Sequence, residues 1–82
     1  MGMTKLRVKF TFPQDLVQEP IIYNMSREFD LVTNIRRANV TRDGGWVILE
    51  LEGESEHIDK GIASVQQKGV RIDPIEGDVI AG

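Results

Sequence analysis

The side chains able to do covalent or metal chemistry are few. His57 is the only histidine and there is no cysteine, so a multi-histidine metal site, a thiol nucleophile and iron–sulfur ligation are excluded within this chain. Ser26, Ser55 and Ser64 all fall in helical positions with simpler explanations, so no nucleophile–base pair is built around His57. Asp73, Glu76 and Asp78 lack the ligand spacing of a calcium loop. Asp43-Gly44-Gly45 joins two strand-like runs, whereas a phosphate cradle opens onto a helix. The reading is non-catalytic, with no cofactor and no metal expected.

What remains is binding chemistry. Asn34-Ile35-Arg36 puts an amide, an apolar side chain and a guanidinium in sequence. An amide both donates and accepts, which suits a zwitterion, and Arg36 can pair with a carboxylate. The plainer role for Asn34 is a hydrogen bond at a strand edge or bulge. Trp46 and Ile48 form the second candidate, an apolar patch for dimerisation or ligand contact, against the plainer reading of a tryptophan shielded by Lys or Arg stems. Arg36, Arg37 and Arg42 are a local basic cluster without the aromatic partners of a single-strand nucleic-acid platform, and read as a solvated edge.

These residues need elements to hold them. Lys5 to Phe12 alternates strictly, with Leu6, Val8, Phe10 and Phe12 on one face, which is the pattern of a half-buried strand ended by Pro13. A helix from about Pro20 carries Ile21, Ile22, Met25 and Phe29 on one side. Leu31 to Thr41 is β-rich but changes phase: Leu31 and Ile35 share one parity, Ala38 and Val40 the other. A bulge near Arg36-Arg37 is the economical repair. An Asp43-Gly44-Gly45 turn then leads to Trp46–Glu52, where Val47, Leu49 and Leu51 face the core and leave Trp46 and Ile48 on the open face.

Ser55 is placed to cap a second helix, along which Ile58, Ile62 and Val65 recur; Gly61 is expected to let that helix approach the sheet, and Gly69 to end it. A last strand runs from Val70 to about Ile75. The order β-α-β-β-α-β predicts an α+β, ferredoxin-like sandwich with an antiparallel sheet of strand order 4-1-3-2 and both helices on one face. Lys5, Arg7 and Lys9 would then lie beside Glu50, Glu52 and Asp73 on the open face.

Composition sets the outer bounds. Eighty-two residues make one small domain, expected over residues 4–76 with a flexible tail over 77–82. A net charge of −3 argues against a nucleic-acid binder. No apolar run approaches a membrane span or a signal-peptide core, so a cytoplasmic protein without membrane insertion is expected. Gly2 between Met1 and Met3 suggests a natural start at Met3.

The ordered strings KLRVKFTFP, REFD, LVTNIRRANV, GWVILELEG and QKGVRIDPIE resemble the NIL domain family, named for an Asn-Ile-Leu string in its second strand. The resemblance spans about seventy residues and implies a ferredoxin-like fold. It implies one of two settings: the C-terminal regulatory domain of methionine-importing ABC transporter ATPases, where paired domains bind methionine, or a domain ahead of a 4Fe–4S ferredoxin module. The strings GWVILELEG and REFD are closer to the second branch. This chain has neither a phosphate-loop ATPase nor cluster cysteines, which implies a stand-alone copy or one domain of a longer protein. Asn34 and Ile35 match the family string, whereas Arg36 replaces its Leu. The expected function is a regulatory module that binds a small amino acid such as methionine as a homodimer and acts on a transporter partner. The alternative is an interaction domain for a ferredoxin or redox partner, with no small-molecule ligand.

Overall fold

Strand β1 (Met3–Phe12) forms as its alternation dictates: Val8, Phe10 and Phe12 are buried, while Lys5 and the other odd-numbered residues take the opposite face. The computed structural model of the chain describes residues 3–75. Pro13 ends β1, and a short 3-10 turn over Gln14–Leu16, not expected from the sequence, drops Leu16 into the core. Helix α1 (Ile21–Glu28) buries Ile21 and Met25, with Ile22 and Phe29 packed at the core's margin. It stops at Asp30, whose φ of 57° is left-handed. The chain is thereby turned so that the Leu31 N–H donates to the Ser26 carbonyl at 2.9 Å, closing the helix end.

Strand β2 (Val32–Thr41) and strand β3 (Gly44–Glu54) make the hairpin. Its two turn residues are Arg42 and Asp43, one position earlier than expected, and Gly44 already pairs with Thr41. The positive φ required here falls on Gly44, at 139°. The next residue is a close approach instead: a Cβ on Gly45 would lie 2.6 Å from the Asn39 carbonyl oxygen and the Val40 Cα. Helix α2 (Ser55–Gln67) begins one residue earlier than the capping assignment assumed: Glu54 is its N-cap, Ser55 is the first helical residue, and no side chain caps it. Gly61 lies close to Leu31, Met25 and Phe29, so it admits the first helix and the chain leaving it, not the sheet. Strand β4 (Arg71–Pro74) follows Gly69, and the Ile75 N–H still donates to the Arg7 carbonyl.

The sheet order is β2-β3-β1-β4, all neighbours antiparallel, which is the expected ferredoxin-like α+β arrangement read from its other edge. The core lies between the sheet and the helices and centres on Phe10, Leu49, Leu51, Val8 and Val65. Burying each such side chain is worth about 1.5–3 kcal/mol. Among the described residues no helix is long and apolar enough to cross a membrane. The expected tail over 77–82 lies outside the described residues.

Candidate functional site

Edge strand β2 is where the folded chain departs most from a closed core. Pairing runs regularly from Val32↔Glu52 to Ile35↔Leu49, then resumes at Arg37↔Ile48, leaving Arg36 as the extra residue of a β-bulge. The phase change in the sequence required this. Its consequence is that Ile35, Ala38 and Val40 all take the helix side of the sheet, opposite Leu49, Val47 and Gly45. The expected burial does not follow. The helices leave most of β2 uncovered, and Ile35 is 55% and Val40 49% exposed.

Asn34 pairs with Glu50 and therefore sits on the open face, the side away from Ile35. Its side chain makes no hydrogen bond among the described residues. Arg36, the residue left out of the ladder between Ile35 and Arg37, is exposed, and its charge is near enough to Glu50 to help lower that carboxyl's pKa. Asn34, Ile35 and Arg36 thus do not converge into a pocket. A ligand meeting both Asn34 and Ile35 has to sit against the free edge of β2, where the two faces meet.

Trp46 and Ile48 are on the open face, as expected, and both are half-buried. Register places Trp46 between Thr11 and Asn39, and Ile48 between Lys9 and Arg37. The Lys9 ammonium lies 5.4 Å from the Trp46 ring centroid, a cation–π contact. Next along the sheet, the Arg7 guanidinium donates to the Glu50 carboxylate. That bond, reinforced by the charges of Arg7, Arg36 and Lys5 and opposed by partial burial, holds the Glu50 carboxyl below the usual carboxylate range. The bulge and the tryptophan therefore share one surface.

A feature missed by sequence reasoning lies on the helix side. A groove of about 230 Å³ opens between the start of α1 and the end of β2, lined by Phe12, Val17, Pro20, Ile22, Tyr23 and Val40. Glu19 supplies a carboxylate at its wall. Tyr23 is 57% exposed, and Arg27 donates to its hydroxyl at 3.1 Å. The one signal was the Ile22-Tyr23 pair, which widens the apolar stripe of α1 beyond what one sheet face covers. Among the described residues no cluster of His, Asp and Glu is placed to hold a metal ion.

The model of the NIL domain family matches residues 6–74. The chain belongs to the NIL domain family. The match takes in all four strands and both helices, so the bulged β2 of this NIL domain is within it. A solved structure similar to it is the crystal structure of the C-terminal domain of an ABC transporter ATP-binding protein from Enterococcus faecalis. That similarity has a TM-score of 0.78 at 21% identity, covering 88% of this chain and 84% of that one, and it shows a shared fold. No curated protein sequence matches this NIL domain.

Proposed function

We propose that this NIL domain is a non-catalytic regulatory module that pairs with a second copy through the free edges of β2 and binds a small amino acid, of the methionine type, against that edge. The observation that carries the reading is the division of Asn34 and Ile35 between the two sides of an unpaired edge strand. At that edge an amide, an exposed apolar side chain and free backbone N–H groups come within reach of one small molecule. Arg36, beside them, offers a guanidinium to a carboxylate.

A ten-residue edge with exposed Val32, Ile35 and Val40 is a template for pairing with another strand. A two-fold axis across it joins two sheets into one and covers the apolar side chains of both copies. The family membership and the Enterococcus faecalis likeness support a regulatory role near a transporter ATPase in the cytoplasm.

Calorimetric titration with L- and D-methionine, with light scattering in parallel, tests this reading. The expected result is saturable heat with L-methionine together with a dimer mass. No heat and no change in thermal stability would sink the ligand half, and a monomer at tens of micromolar, in the range of a weak interface, would sink the dimer half.

A further inference from the structure

The charges of this chain are sorted by face. The open sheet face carries Lys5, Arg7, Lys9 and Arg71 by register, with Arg37 opposite Ile48 and Arg36 acting on Glu50. That is six of the ten Lys and Arg residues, against four of the thirteen Asp and Glu: Glu50, Glu52, Glu54 and Asp73. A chain of net charge −3 thus presents a sheet face of the opposite sign. Two of those carboxylates are engaged within the face, Glu50 with Arg7 and Asp73 with Arg71. Lys5, Arg36 and Arg37 make no salt bridge among the described residues.

The cations of this face gather around its apolar residues. Lys9 and Arg37 flank Ile48, and Lys9 lies over Trp46. A half-buried tryptophan and isoleucine ringed by Lys and Arg have the composition of an interface centre, where Trp and Arg dominate the energy. We propose that the open sheet face docks an acidic protein surface, with Trp46 and Ile48 as the apolar contact and Lys9, Arg36 and Arg37 as the cations around it.

Other occupants fit less well. A second copy placed face to face would set one cation-rich face against another of the same net sign, whereas a two-fold contact needs a patch complementary to itself. A single-stranded nucleic acid needs stacking faces, but Trp46 is the one aromatic residue among those register places on this face, and Lys9 already lies over its ring. An acidic protein meets the cations with carboxylates and the tryptophan with an apolar side chain. This docking uses the sheet's open face and stands apart from the pairing of β2 edges, so either proposal can fail alone.

Trp46 is the chain's only tryptophan, so its emission reports from the patch itself. The full chain is titrated with a synthetic peptide in which Glu and Asp flank one Leu, and separately with a peptide carrying Lys in place of those acids. The expected result is a saturable emission shift with the acidic peptide alone, weakened by salt. Arg36→Glu with Arg37→Glu should weaken it about tenfold or more, while Lys60→Glu on helix α2, away from the patch, should leave it unchanged. Circular dichroism confirms that the exposed-edge variants fold. Arg37→Gln alone, which adds no new charge, should weaken binding by a smaller factor. No shift with the acidic peptide, or loss caused equally by Lys60→Glu, overturns the proposal. So does a tighter response to single-stranded oligonucleotide or to anionic lipid vesicles. An emission change on concentrating the protein alone, with no peptide effect, would assign the face to a second copy instead.

Discussion

Asn34 and Ile35, neighbours in the string shared with the family, face opposite sides of the sheet: Asn34 stands across from Glu50 and Ile35 across from Leu49. For one ligand to use both, it must lie along the strand edge. Asn34→Ala and Ile35→Asp are each therefore expected to weaken L-methionine binding about tenfold or more, the scale of one lost polar contact in a small site. Tyr23→Ala, which opens the groove beside Val40, should leave binding nearly unchanged. Calorimetry on the three variants checks this, and the reverse pattern would place the ligand in the groove. Ile35→Asp should also lower the dimer fraction without unfolding the chain, because Ile35 is 55% exposed.

The bulge makes a prediction of an unusual kind, since Arg36 is the extra residue in β2. Deleting Arg36 leaves Ile35↔Leu49 followed directly by Arg37↔Ile48, a regular ladder. The deletion is expected to cost about 1 kcal/mol or less, comparable with an ordinary surface change. Deleting Ala38 instead also restores a one-to-one ladder, but it sets Arg36 opposite Ile48 and turns Arg37 to the apolar helix side opposite Val47. Denaturant titration of the two deletions should show the Ala38 deletion as clearly the less stable.

Those two strands show what could be read beforehand and what could not. Strand β1 and the inward face of β3 were legible because each alternates strictly, and period two admits a single burial solution. The bulge was legible because Ile35 and Val40 differ in parity within one strand. What the sequence hid was coverage. Ile35, Ala38 and Val40 have the pattern of a core face, but coverage depends on how far α1 and α2 reach across the sheet, which is tertiary. The groove at Tyr23 was hidden for the same reason. The surface shared by Trp46 and Arg37 required the register across the bulge, which no local pattern contains. Ser55 misled because a hydroxyl before an apolar stripe fits a cap equally well one residue away.

At the hairpin the limit is steric. A Cβ on Gly45 would lie 2.6 Å from backbone atoms of Asn39 and Val40, and a ladder backbone yields less readily than a side chain tip. Gly45→Ala is expected to destabilise by about 1–3 kcal/mol, the usual cost of overpacking. At about 4–8 °C per kcal/mol for a domain of this size, thermal melts should register it easily. An unchanged melting temperature would mean that β2 moves away from β3 at low cost.

Glu50 provides the pH test. Its carboxyl is held below the usual range, first by the hydrogen bond from Arg7 and then by the surrounding cations. A group whose pKa is depressed on folding binds its proton more readily when unfolded, so its contribution is present above the unfolded carboxylate pKa and is lost as pH falls through the lower folded value. Stability should therefore decline on acidification from the ordinary glutamate range downward. Glu50→Gln should flatten that part of the curve and leave neutral and alkaline behaviour the same in slope. Arg7→Met, which removes the donor and keeps a long apolar stem, should raise the Glu50 pKa measured by carboxyl NMR. A Glu50 resonance titrating like an exposed glutamate in the unaltered protein would refute the pairing. A curve for Glu50→Gln parallel to that of the unaltered protein would show that other carboxylates set the acid limit.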